Sequence, residues 1–317
     1  MKVNLAFSIS DFNYLSPIQV NHTKLATNKV LKIQMNNSSL DIIEFSPLVT
    51  FHNYNVYQWK KMLETFFQTQ EIDFENILLD TPYFNMVSNP PTHSGEFLFA
   101  IEVVLFHLIN KQRPDLLGDR PTKIKINSLF SKDSPDKTDF SKTDCLKLKI
   151  RPGNKQIHET LTLIKQALEI NPSIKFRLDG NRSFNLEELI EFENALSTVL
   201  TSIEYLEEPL KNHNDYWIFK KVSKIPYALD ESVIAYQHNL EAVAQECILI
   251  LKPSLLSLSK CFEFMNKLKN TMVISSSYEA PSLLLAFNYL ASLAPETFHG
   301  LDTQKFLPHS LSNSNLI

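Results

Sequence analysis

LKLKI (146–150), FRLDGN (176–181), IEYLEEP (203–209), YALDES (227–232) and ILILKP (248–253) follow one another through the middle of the chain. Each is a short apolar run that ends in ionisable residues. Upstream lies IKINSLF (124–130), and downstream lie MVISSS (272–277) and TFHGLD (297–302), which gives eight runs spaced about 20 to 30 residues apart. The intervening segments carry helical periodicity: Ile157, Leu161, Ile164 and Leu168 share one face, Leu189, Phe192 and Leu196 a second, and Phe262, Met265 and Leu268 a third. Alternating strand and helix at this spacing demands parallel strands joined by right-handed crossovers, and about eight of them close more naturally than they stay open. The expected class is α/β, with a (β/α) barrel.

Residues 1–115 are organised differently. VLKIQM (30–35) and LDIIEF (40–45) read as strands, and VYQWKKMLETFF (56–67) as a helix whose Val56, Trp59, Leu63 and Phe66 form one core-facing stripe. This predicts an N-terminal α+β unit ahead of a barrel over 116–303. SKDSPDKTDFSKTD (131–144) is rich in turn formers and reads as a surface loop.

Composition narrows the function. With 31 basic against 35 acidic residues the net charge is −4, so no basic excess exists to bind a phosphate backbone, and a nucleic-acid partner is not expected. The N-terminal apolar stretch is interrupted by Asn4, Ser8 and Ser10, and no later run approaches the ~18 apolar residues of a membrane span, so a cytoplasmic protein is expected. Three cysteines, Cys145, Cys247 and Cys261, cannot all pair and read as reduced thiols. Only five glycines occur, none in a phosphate-cradling pattern. The nine histidines show no metal-site spacing.

In a barrel, chemistry collects where strands end at their carboxyl side. Lys147 and Lys149 share a face of one strand by side-chain alternation, as do Arg177 and Asp179 of the next. Glu207 and Glu208, Asp230 and Glu231, and Lys252 end the following three. A lone K-x-K is ordinarily a solvated edge, and a lone E-E-P a strand meeting a turn. Five consecutive strands ending this way are harder to ascribe to solvation, because buried charges must pair or hold a metal. Three carboxylates suit magnesium, a hard cation.

The ordered set K-x-K, R-L-D-G-N, Y-L-E-E-P-L, L-D-E-S, I-L-K-P and I-S-S-S-Y-E-A resembles the enolase superfamily, in particular its muconate-lactonizing-enzyme-like subgroup and, most closely, the o-succinylbenzoate synthase family. The likeness spans roughly residues 44–303, with IIEFSPLVTF (42–51) near its start and GLDT (300–303) near its end. It implies a (β/α)7β-type TIM barrel with an α+β capping domain completed by residues 304–317. It further implies Asp179, Glu207 and Asp230 as ligands of one Mg2+, with Mn2+ as a substitute. Lys149 would be general base and then acid, Lys252 would face it across the substrate, and Lys147 would lower the pKa of Lys149. Arg177, Ser275, Ser276 and Ser277 would contact a small carboxylate substrate. The implied reaction is dehydration of a cyclohexadiene carboxylate to o-succinylbenzoate on the route to menaquinone. Racemisation of N-succinylamino acids or epimerisation of dipeptides remains the alternative, since two opposed lysines can exchange a proton on either face. A non-catalytic barrel would be expected to have lost a lysine or a ligand. Asp41, Ile42 and Ile43 stand where many relatives have a glycine-containing stretch, and the sequence leaves monomer and homo-oligomer open.

Overall fold

A computed structural model describes residues 4–20, 23–35, 42–49, 51–72, 95–118, 123–131, 137–236, 240–268 and 272–311. Asp41, part of the 131–144 loop and the last part of 304–317 lie outside these residues.

The chain begins with an antiparallel sheet of β1 (Leu5–Val20), β2 (Thr23–Met35) and β3 (Ile42–Phe45), in that order. Two helices follow, α1 (Val56–Thr69) and α2 (Gly95–Gln112). At the start of α1 the Asn55 side chain accepts from the Tyr57 and Gln58 amides while the Gln58 side chain accepts from the Asn55 amide, satisfying donors that a helix start leaves free. The predicted stripe of α1 is buried, with Trp59 edge-on to Phe45.

The barrel then runs β4 (Lys125–Ile126), β5 (Ser128–Leu129), β6 (Cys145–Lys149), α3 (Asn154–Ile170), β7 (Lys175–Asp179), α4 (Leu186–Ala195), β8 (Ile203–Glu207), α5 (Tyr216–Val222), β9 (Tyr227–Leu229), α6 (Leu240–Ala244), β10 (Ile248–Leu251), α7 (Pro253–Leu256), α8 (Leu258–Lys267), β11 (Met272–Ile274), α9 (Pro281–Ala291) and β12 (Phe298–His299). β5 to β11 form one parallel sheet in chain order. β12 pairs with β4, and a bridge between Ser275 and Gly300 joins it to the end of β11, so the ring closes. Asn127, between β4 and β5, donates its amide to the His299 carbonyl and makes the two short strands one barrel stave. Each of the eight predicted apolar runs supplies one stave. Gly300 is required there, because a Cβ would stand 2.8 Å from Ser275 Oγ.

The main core is continuous, running from β2, β3, α1 and α2 into the barrel helices. A second cluster packs Phe306, Leu307 and Leu311 against Phe12, Tyr14, Ile18 and Val20 of the first sheet. Cys145, Cys247 and Cys261 are buried free thiols.

One buried carboxylate ties α2 to the barrel. Glu102 accepts from the Leu258 and Ser259 amides and from Ser259 Oγ, and so caps the start of α8. Burial pushes its pKa up to about 7 from a usual value of 4.5. A folded-state pKa above the unfolded one contributes stability that is present below the unfolded value and lost as pH rises through the folded value. Melting temperature should therefore fall between pH 5 and pH 8, and Glu102→Gln, which keeps an acceptor for the amides, should flatten that fall. An unchanged slope in thermal melts of the variant would remove Glu102 as its source.

Candidate active site

Strand register places the charged residues in rows across the barrel. Lys149, Asp179 and Glu207 are paired neighbours on β6, β7 and β8, and Lys147, Arg177 and Tyr205 form the row one layer deeper. The upper row opens into a cavity of about 110 Å³ at the carboxyl ends of the strands, lined in part by Lys147, Lys149, Asp179, Asp230, Lys252 and Ser275 to Ser277. Eight of the ten residues singled out in the sequence thus share one cavity. Gln19, Val20, Leu48 and Phe51 of the N-terminal region complete its wall, and the Phe51 ring lies 5.1 Å from Lys252 Nζ.

Glu207 sits behind Lys147, whose Nζ is 2.6 Å from Glu207 Oε1 and 3.1 Å from Asp179 Oδ2. Burial disfavours the charge on Lys147, but Asp179 and Glu207 outweigh it and hold the ammonium protonated well above its usual range. Lys252 Nζ lies 2.5 Å from Asp230 Oδ2. Burial again opposes its charge, and Asp230 with Glu231 more than offsets that, so its pKa is raised too.

Lys149 differs from both. Among the described residues it makes no ion pair, and its pKa is lowered. Although Lys149 keeps exposed surface, desolvation by the surrounding protein is the largest cause; Lys147, Arg151 and Lys252 add to the effect, while Asp179 opposes it. The neighbouring cation singled out in the sequence therefore acts in the expected direction, but it is secondary to desolvation.

Arg177 does not face the cavity. It is held in the deeper layer: Nε donates to Glu204 Oε2 at 2.7 Å, and one terminal nitrogen donates to Asn127 Oδ1 at 3.1 Å and to the Phe298 carbonyl at 2.6 Å. Its guanidinium stacks 4.8 Å from the Tyr205 ring, beside the apolar floor of Ala228, Ile250 and Val273. Arg177 shares the face of β7 with Asp179 but lies one layer deeper, where it supports Asn127, which lines the cavity.

Several site residues went unread in the sequence. Asn181 donates both its backbone and side-chain amides to Asp179 Oδ1; its place in FRLDGN, two residues after an aspartate, is the turn signal that marks it. Gly180 permits this turn to pass Pro209, whose Cα would lie 2.7 Å from an added Cβ. Ser276 Oγ pairs with Thr303 Oγ1 at 2.7 Å, and Glu279 accepts from Ser254 Oγ at 2.7 Å and from the Ser277 amide.

As they stand, no three acidic, histidine or cysteine side chains among the described residues converge on a metal-sized point, since ammonium groups lie among the carboxylates. The donor set nevertheless suits a hard divalent cation. Asp179, Glu207 and Asp230 offer only oxygen, and Asp230 Oδ1 is buried with no hydrogen-bond partner among the described residues. Burial pushes the Asp230 carboxyl up to about 7 against the opposing charge of Lys252.

Residues 141–259 match the model of a family described as enolase C-terminal domain-like. The chain is similar to o-succinylbenzoate synthase of Pectobacterium atrosepticum, 35% identical over 147 residues, which cover 44% of this chain and 46% of that protein. It is also similar to the synthase of Aliivibrio fischeri, 32% identical over 161 residues, 48% of this chain and 49% of the other. The chain thus spans about half the length of these curated relatives. Among solved structures, o-succinylbenzoate synthase from Thermosynechococcus elongatus, complexed with Mg in the active site, aligns over 96% of this chain and 94% of its own with TM-score 0.68 and 16% identity. A dipeptide epimerase from Methylococcus capsulatus, complexed with Mg and a dipeptide, aligns over 96% and 91% with TM-score 0.71 and 17% identity. The fold is therefore enolase-like: a (β/α)7β-type barrel with an α+β cap.

Proposed function

We propose that this chain of enolase-like fold is a magnesium-dependent o-succinylbenzoate synthase, a cytoplasmic hydro-lyase on the route to menaquinone that dehydrates 2-succinyl-6-hydroxy-2,4-cyclohexadiene-1-carboxylate. The observation that carries the reading is the pairing of a lysine with lowered pKa, Lys149, and a fully charged one, Lys252, in a single cavity with Asp179 and Asp230.

Asp179, Glu207 and Asp230 would hold the magnesium ion, which when bound supplies fixed positive charge against the anion that forms on the substrate carboxylate. Lys149, as free amine, takes the proton alpha to that carboxylate. The Lys252 ammonium stabilises the resulting negative charge electrostatically. Lys149, now an ammonium, returns its proton to the departing hydroxyl, so the two groups leave as water from one face and the ring becomes aromatic. One base serving both steps accounts for a syn elimination. Hydroxyls of Ser275, Ser276 and Ser277 would receive the succinyl arm. Residues 1–115, with 304–317, would form the cap, a division supported by the packing of Phe306, Leu307 and Leu311 on the first sheet.

Epimerisation is the second reading, favoured by the same opposed lysines. The two are separated by a substrate panel under magnesium: the cyclohexadiene carboxylate, N-succinylamino acids and dipeptides. Dehydration should exceed the other reactions in kcat/KM by about tenfold or more, a difference of roughly 1.4 kcal/mol in transition-state binding. Faster racemisation or epimerisation would overturn the synthase reading and leave the fold intact.

A further inference from the structure

Glu208 follows the proposed ligand Glu207 but points away from the cavity. It is buried, at 1% exposure, yet it is not idle. One carboxylate oxygen, Oε1, accepts from the Asp230 amide at 3.0 Å and from the Ser232 amide at 2.8 Å. The other, Oε2, accepts from Arg182 Nε at 3.2 Å, and a terminal nitrogen of Arg182 donates to Ser232 Oγ at 2.9 Å. The Arg182 amide in turn donates to the Glu208 carbonyl.

These contacts join three strand ends. Arg182 and Asn181 belong to the turn that follows Asp179, Glu208 follows Glu207, and Ser232 follows Asp230. Backbone geometry is unusual at this junction: φ is 44° at Asn181, 53° at Arg182 and 38° at Glu208, left-handed values that residues with a Cβ adopt only where surrounding contacts hold them. Asp179 and Glu207 are the last paired residues of β7 and β8, whereas Asp230 lies one residue beyond β9, where its backbone amide is held by Glu208.

We infer that Glu208 and Arg182 are positioning residues that hold the ends of β7, β8 and β9 in the arrangement a divalent cation needs, Glu208 through the Asp230 backbone and Arg182 through Ser232. The inference rests on the magnesium reading above. Neither side chain would itself be a ligand. Arg182 is partly exposed, at 43% of its side chain, so its removal leaves no buried void, whereas Glu208 is within the fold.

The test is Mg2+ binding by titration calorimetry in the absence of substrate, on the unaltered protein, Arg182→Ala and Glu208→Gln, with thermal melting in chelator recorded alongside. Glu208→Gln retains an oxygen for the two amides but turns a donor toward Arg182. Each variant should bind Mg2+ roughly 10- to 100-fold more weakly, as removal of groups that orient metal ligands ordinarily does. Arg182→Ala should melt in chelator close to the unaltered protein. Affinities in both variants within about twofold of the unaltered protein would overturn the inference, whatever happens to melting, and leave the magnesium reading standing. Absence of Mg2+ binding by the unaltered protein would overturn both. Should Glu208→Gln fail to fold, Arg182→Ala decides alone.

Discussion

Lys149→Ala should abolish dehydration, lowering kcat by at least the roughly 10²- to 10⁴-fold that loss of a general acid or base ordinarily costs. The figure is a lower bound, because in the proposed mechanism the same amine acts twice. Lys149→Arg should not restore activity: a guanidinium reaches the cavity but does not surrender its proton near neutral pH. Because desolvation and three neighbouring cations lower the pKa of Lys149, the free amine becomes available at lower pH than for an ordinary lysine. The kcat/KM profile should accordingly rise with pH through that lowered value. The alanine variant should melt no lower than the unaltered protein, since it loses a cation without an ion pair. Near-normal dehydration by Lys149→Ala would remove the acid/base assignment outright.

Much of this site was legible because parallel barrel strands are buried on both faces, and so read as apolar runs in which any charge stands out. Lys149, Asp179, Asp230 and Lys252 each end such a run, and each meets the others in one cavity. Arg177 shows where such a reading stops. Side-chain alternation is local and fixes its face; its depth depends on the register of β7 against β6 and β8, a relation between residues far apart in the chain. The contacts between the lysines and the carboxylates are equally non-local, and a list of strand ends does not reveal that Lys147 bridges Asp179 and Glu207.

The N-terminal region was harder to read for two reasons. β1 alternates through Leu5, Phe7 and Ile9, but it lies at the edge of its sheet and its inward residues there are only half-buried, which dilutes the pattern. α2 fails in the opposite way. It is enclosed on all sides, with Phe99, Ile101, Val103 and Leu105 all buried, so it has no polar face to define a helical period. Its buried Glu102 looks like a violation of that apolar run until the start of α8 is brought against it.

Glu207→Gln should separate the structural and catalytic duties of the carboxylate cluster. Glu207 is buried and 2.6 Å from Lys147, itself largely enclosed, so the neutral amide leaves the ammonium with Asp179 as its nearest partner. Breaking a buried pair from one side costs roughly 3 to 5 kcal/mol, because the remaining charge is left inadequately compensated. Melting in chelator should therefore drop by several degrees. Replacing Lys147 with methionine in the same protein removes the stranded charge, and the double variant should regain most of the lost stability. It should not regain activity. On the proposed reading, with one of three carboxylates gone the cation that offsets charge on the substrate would be held weakly, and a loss of several kcal/mol of transition-state stabilisation corresponds to a fall in turnover of about 10³-fold. On the same reading chelator should silence the unaltered protein, with activity returning on addition of Mg2+. The informative comparison is the double variant assayed in saturating Mg2+ after its melting temperature has been restored. Dehydration within about tenfold of the unaltered protein would mean that Glu207 serves only to neutralise Lys147, and that the cation, if bound, is held by other groups.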